Sequence, residues 1–135
     1  MPVNYSITGP LLKLNLEGHY EPGDVISQFL AALADPRCPA KVSLLVDVTQ
    51  SDSLETRAPQ EIRRVAEYLG PYRERIGGRC AVVAARDLHF GLSSMGSAYI
   101  EGIGIEAGVF RDTKSALDWL GVPSAEPVAT PKQDP

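Results

Sequence analysis

Apolar positions along the chain recur with two different periods, and the switches between them mark the elements. Tyr5-Ser6-Ile7-Thr8 reads as a short strand and Gly9-Pro10 as a turn, after which Leu12, Leu14 and Leu16 alternate with Lys13, Asn15 and Glu17. Alternation at period two is a strand with one buried face, and two such runs around a tight turn predict a hairpin. Pro22 sits where a helix start tolerates proline. From there Val25, Ile26, Phe29, Leu30 and Leu33 recur at helical spacing until Asp35-Pro36, where the residue before a proline is pushed out of the helical region. Val42 to Val48 is nearly all apolar, as suits a strand covered on both faces. A polar loop, Thr49-Gln50-Ser51-Asp52-Ser53, follows.

A second helix is expected from about Ala58 to Ile76, with Ile62, Val65, Ala66 and Leu69 on one face and a kink or break at Gly70-Pro71. Gly77-Gly78 punctuates, and Cys80 to Ala84 is a further buried strand. A third helix covers roughly Leu88 to Glu101, with Leu92, Met95 and Tyr99 in line. Ile105 to Phe110 is the last strand, and Asp112 caps a short final helix that Gly121 stops. The order β-β-α-β-α-β-α-β-α predicts a single α/β domain over residues 1–121. Its sheet is mixed, mostly parallel and flanked by helices. Residues 122–135 carry four prolines and no periodicity, and are expected to form a disordered tail.

Composition narrows the classes. The chain of 135 residues carries a net charge of −4, which counts against a nucleic-acid or anionic membrane-surface partner. No apolar stretch approaches the length that spans a bilayer, and the N-terminal residues carry no signal-peptide pattern. Cys80 is expected to be a buried small hydrophobe and Cys38, in a Pro-Arg-Cys-Pro turn, an exposed thiol. Free thiols suit a reducing, cytoplasmic setting.

The search for chemistry returns little. Gly102-Ile103-Gly104-Ile105-Glu106-Ala107 matches a dinucleotide-binding pattern. The fingerprint needs a strand before the glycines and a helix after, and here the order is reversed. His19 and His89 are read as surface or capping histidines, and no ligand spacing supports a metal or cofactor. The carboxyl ends of the parallel strands, where open α/β sheets bind ligands, bring Asp47, Thr49, Ser51, Asp52, Ser53, Arg86, Asp87 and Arg111 into consideration as a binding loop. The third helix carries a run of small residues, Ser93, Ser94, Gly96, Ser97 and Ala98. These would let the protein's own sheet, another backbone or a ligand come close.

The strand Leu44-Leu45-Val46-Asp47-Val48 with its polar loop, the run Arg79-Cys80-Ala81-Val82-Val83, and above all the ending from Val109 to Leu120 resemble the SpoIIAA-like branch of the STAS domain superfamily. The resemblance spans about residues 3 to 121. It implies a non-enzymatic regulatory or protein-interaction module of the anti-sigma-factor-antagonist type, switched by phosphorylation of a serine after the third strand. That serine in the family follows an aspartate and precedes Ser-Gly. Here Ser53 follows Asp52 but precedes Leu54, in a shorter loop, so the switch motif is not intact. A phosphate on Ser53, the candidate phosphosite, would sit near a helix N-terminus. The same branch is compared with Sec14-type domains, which implies the alternative of a lipid or small apolar ligand carrier. Its pocket would lie between the third helix and the sheet, lined by Phe90, Leu92, Met95 and Tyr99. An enzyme using Asp47, Arg86 or His89 ranks last. The expected partner is thus another protein or a small apolar ligand. A homodimer is a further expectation, since small domains with small-residue helices often self-associate.

Overall fold

The computed structural model describes residues 3–51 and 59–121. The expected Asp52–Ser53 part of the loop and the tail at 122–135 lie outside them. Nine elements follow in the expected order: β1 (Val3–Thr8), β2 (Leu11–Gly18), α1 (Pro22–Ala34), β3 (Val42–Ser51), α2 (Pro59–Glu67), β4 (Ile76–Val83), α3 (Asp87–Gly102), β5 (Glu106–Phe110) and α4 (Thr113–Leu120). The five strands form one sheet in the order β1-β2-β3-β4-β5. Only β1 is antiparallel to its neighbour.

The opening hairpin closes through Gly9 and Pro10, with Thr8 opposite Leu11. Gly9 takes φ 58°, the positive φ that a two-residue loop asks of its first residue and that glycine adopts without steric cost. Each later crossover advances the sheet by one strand in the same direction. Crossovers between parallel strands are right-handed, so α1, α2 and α3 all land on one face. The larger core lies beneath them, built from Leu12, Leu14, Leu44 and Cys80 of the sheet with Phe29, Ala66 and Ile100 of the helices, and from Leu69 and Ile105 of the connections. Helix α4 returns to the opposite face. There Ala116, Leu117 and Leu120 cover Leu11, Leu45, Ala81 and Val83.

Two boundaries differ from expectation. Strand β3 runs three residues past Val48, because β2 continues alongside it and pairs Glu17 with Gln50 and Gly18 with Ser51. The polar residues expected as loop therefore have backbone partners, and Ser51 is buried against the Tyr20 hydroxyl at 2.9 Å. The second helix ends at Glu67, a 3-10 turn covers Gly70–Tyr72, and Ile76 opens β4 opposite Val42. Gly77 and Gly78 do not terminate anything. They lie where the β3–β4 register shifts, the bulge role of a glycine inside a strand.

One polar link ties the hairpin to α1. Asp35, at the C-cap of α1, accepts a hydrogen bond from the Tyr5 hydroxyl at 2.8 Å and pairs with Arg37 at 2.8 Å. The Arg37 hydrogen bonds, then that of Tyr5, hold the Asp35 carboxyl well below the usual carboxylate range. A carboxylate favoured in the fold stabilises fully above its unfolded pKa of about 4 and loses that contribution as pH falls below it. Urea titrations across that range should therefore show a shallower acid loss in Asp35→Asn than in the parent. Parallel curves would remove Asp35 from the acid response.

Candidate functional site

Helix α3 decides the character of the interior. Its buried residues are His89, Ser93, Gly96, Ser97 and Ile100, spaced as one helical stripe. The expected buried line of Leu92, Met95 and Tyr99 is only half-buried. The helix thus turns its small side chains inward and its larger ones partly outward. Gly96 is small for a reason: a β-carbon there would stand 3.2 Å from Ile62 Cγ2 of α2. The close approach anticipated for the small residues is therefore made by a neighbouring helix.

Small side chains on a buried stripe underfill the space between helices and sheet. What remains is a partly open cavity of about 150 Å³, with β2, β3 and β4 below and α1, α2 and α3 above. Leu14, Leu44, Val46 and Val82 form its floor, Phe29, Val65 and Ala66 stand on the walls, and Ser93, Gly96 and Ser97 face it from α3. Its lining reaches the surface at Tyr68, which is 38% exposed. Of the four residues expected to line an apolar pocket, Leu92 does so. Phe90, Met95 and Tyr99 are not among the lining residues. Phe90 lies under the Arg111 guanidinium at 4.2 Å and Tyr99 under that of Arg63 at 5.8 Å. Apolar size, the usual sign of a buried face, points to the large residues of α3. The signal that locates this cavity is the serine–glycine stripe.

The chemistry of the lining is nearly inert. Burial pushes the Cys80 thiol up to about 12, so it stays protonated at neutral pH and acts as an apolar surface. Cys38, expected to be exposed, is half-buried, with its sulfur 3.5 Å from the Arg75 guanidinium.

At the carboxyl ends of the strands the expected polar residues divide into three groups. Asp47 accepts from the Thr49 amide at 2.9 Å and from its hydroxyl at 2.7 Å, and lies 3.9 Å from Lys13. Asp87 pairs with Arg111 at 2.9 Å, and Arg111 also donates to the Ala85 carbonyl. Arg86 donates to the Ser51 carbonyl at 3.4 Å and meets His89 Nε2 at 2.8 Å. Arginine can only donate, so Nε2 is the acceptor in this contact. His89 is 1% exposed. It is neither a surface nor a capping histidine: Arg86 occupies the N-cap, and the inward turn of the helix goes to His89 while Leu88 points outward, 59% exposed. A ligand crevice at such an edge opens where successive crossovers reverse direction. Among the described strands the order never reverses, and the accessible space lies between the layers instead. Among the described residues no group of His, Cys, Asp and Glu could hold a metal ion, and no helix is long and apolar enough to cross a membrane.

A mixed five-stranded sheet with three helices on one face and one on the other is the frame in which the cavity lies. The crystal structure of an uncharacterized DUF3478-family protein with a SpoIIAA-like fold, from Shewanella loihica PV-4, matches with a TM-score of 0.55 at 21% sequence identity, over 87% of this chain and 91% of that one. The fold of this chain is therefore SpoIIAA-like, in agreement with the resemblance carried by its sequence. No protein-family model matches the chain, and no curated protein does.

Proposed function

We propose that this protein is a non-catalytic binding protein for a small apolar molecule held between α1, α2, α3 and the sheet. The observation that carries this reading is the underfilled interior. Protein cores are close-packed, with few voids larger than a water molecule, whereas here an apolar space of about 150 Å³ persists beneath three helices. An apolar space of that size is large enough to take a benzene-sized guest. Regulation through a protein partner, the other expectation from the sequence, would act through the loop after β3. Its Asp52 and Ser53 lie outside the described residues, and no feature of the described surface singles it out.

The reading is tested by titrating the full chain with benzene and following amide shifts in a 15N–1H spectrum. Saturable shifts at Val82, Ser97 and Ile100 are expected. Ala66, 4% exposed and on the lining, is the residue to enlarge. Ala66→Leu should keep the native spectrum and weaken benzene binding by at least about tenfold, or roughly 1.4 kcal/mol. Absence of saturable shifts in the parent, or unchanged binding in a folded Ala66→Leu, would sink the proposal.

A further inference from the structure

Two buried serines of α3 line the cavity without a hydrogen bond among the described residues. Ser93 and Ser97 are 8% and 7% exposed, line the cavity, and have no hydrogen-bond partner among the described residues. They stand one helical turn apart and so share one face of α3. Ser94, on the exposed side, shows the ordinary alternative, its hydroxyl donating to the Phe90 carbonyl at 2.9 Å. Buried polar groups in native proteins are almost always satisfied, and an orphan calls for an explanation. Alanine at either site would serve the helix better and remove the desolvation cost.

Resting on the binding reading above, we propose that the cavity's ligand is a small neutral apolar molecule bearing one hydroxyl or carbonyl oxygen, which Ser93 and Ser97 engage. Three observations define this class. The serine hydroxyl both donates and accepts, so it serves an alcohol, ketone or ester equally well. The charge of the lining excludes an anion: Glu61 is its acidic member, and no lysine, arginine or histidine is among the described lining residues. A carboxylate or phosphate would give up its hydration without gaining a cation, which is costly in an apolar interior. The volume suits a body of about one ring.

Calorimetric titration of the full chain with benzene, phenol and benzoate at pH 7 separates the possibilities. Benzene reports the cavity alone, phenol adds a neutral hydroxyl, and benzoate adds a charge. The expected result is binding of benzene and phenol, with benzoate weaker than phenol. In Ser93→Ala/Ser97→Ala the ratio of phenol to benzene affinity should fall about tenfold, the factor expected for one to two lost hydrogen bonds. Benzene binding should be retained or tightened, which also shows that the variant is folded. If both neutral guests bind but their ratio is the same in the variant, or if benzoate binds best, the polar inference is overturned while the binding reading stands. If no guest binds either protein, both are overturned.

Discussion

Leu44→Ala should lower the unfolding free energy by about 3–5 kcal/mol, the upper part of the range for such truncations. Leu44 is 1% exposed on the central strand, between Leu12 of β2 and Cys80 of β4 in register, and its side chain is part of the cavity floor. Truncation costs the transfer of the lost methyl and methylene groups plus a term for the void left behind. At most core sites neighbours relax into part of that void. Here β3 is held by hydrogen bonds on both sides, and the new space opens into one already empty, so little collapse is available. Domains of this size are stable by only about 5–15 kcal/mol in total, so the variant should approach the unfolding threshold. A urea midpoint that falls steeply with an unchanged slope would show it, and benzene should restore part of the loss by mass action. A loss below about 2 kcal/mol would mean that the site collapses, contrary to a persistent cavity.

Ser93→Ala/Ser97→Ala should move stability the other way, by roughly 1–3 kcal/mol. An unpartnered buried hydroxyl costs free energy in the fold, and alanine is the better helix former. Thermal unfolding in the absence of any guest is the measurement. A midpoint several degrees higher is expected, and a lower one would mean that the hydroxyls already gain from their surroundings. A higher midpoint would match the proposed ligand role, since binding sites are rarely optimised for stability alone.

Much of the architecture could be read from local patterns. Period-two alternation at Leu12, Leu14 and Leu16, the apolar run from Val42, and the Asp112 cap with Gly121 after α4 are short-range signals, and the structure carries each element they predict. What failed locally depended on distant partners. Thr49, Gln50 and Ser51 look like loop until β2 is placed beside them. Gly77 and Gly78 look like a stop until the β3–β4 register needs a bulge. The site was harder still. Large apolar residues on a helix normally face the core, so Leu92, Met95 and Tyr99 were the natural choice. The stripe from His89 to Ile100 wins because α2 packs so closely that a β-carbon on Gly96 would press on Ile62. The run of small residues was visible in the sequence, but the neighbour it accommodates was not.

The unbroken strand order has a consequence for how the chain is made. Every strand pairs with the one that precedes it, so a chain emerging from the ribosome can lay each new strand on an edge already built and never has to insert one between two others. Sheets whose order doubles back must leave an edge waiting for a segment not yet synthesised, exposed to aggregation meanwhile. Here the growing edge waits each time only for the strand that comes next, the last of them being β5. That strand, five residues long, is short enough to be a poor template for a stranger once the sheet is complete.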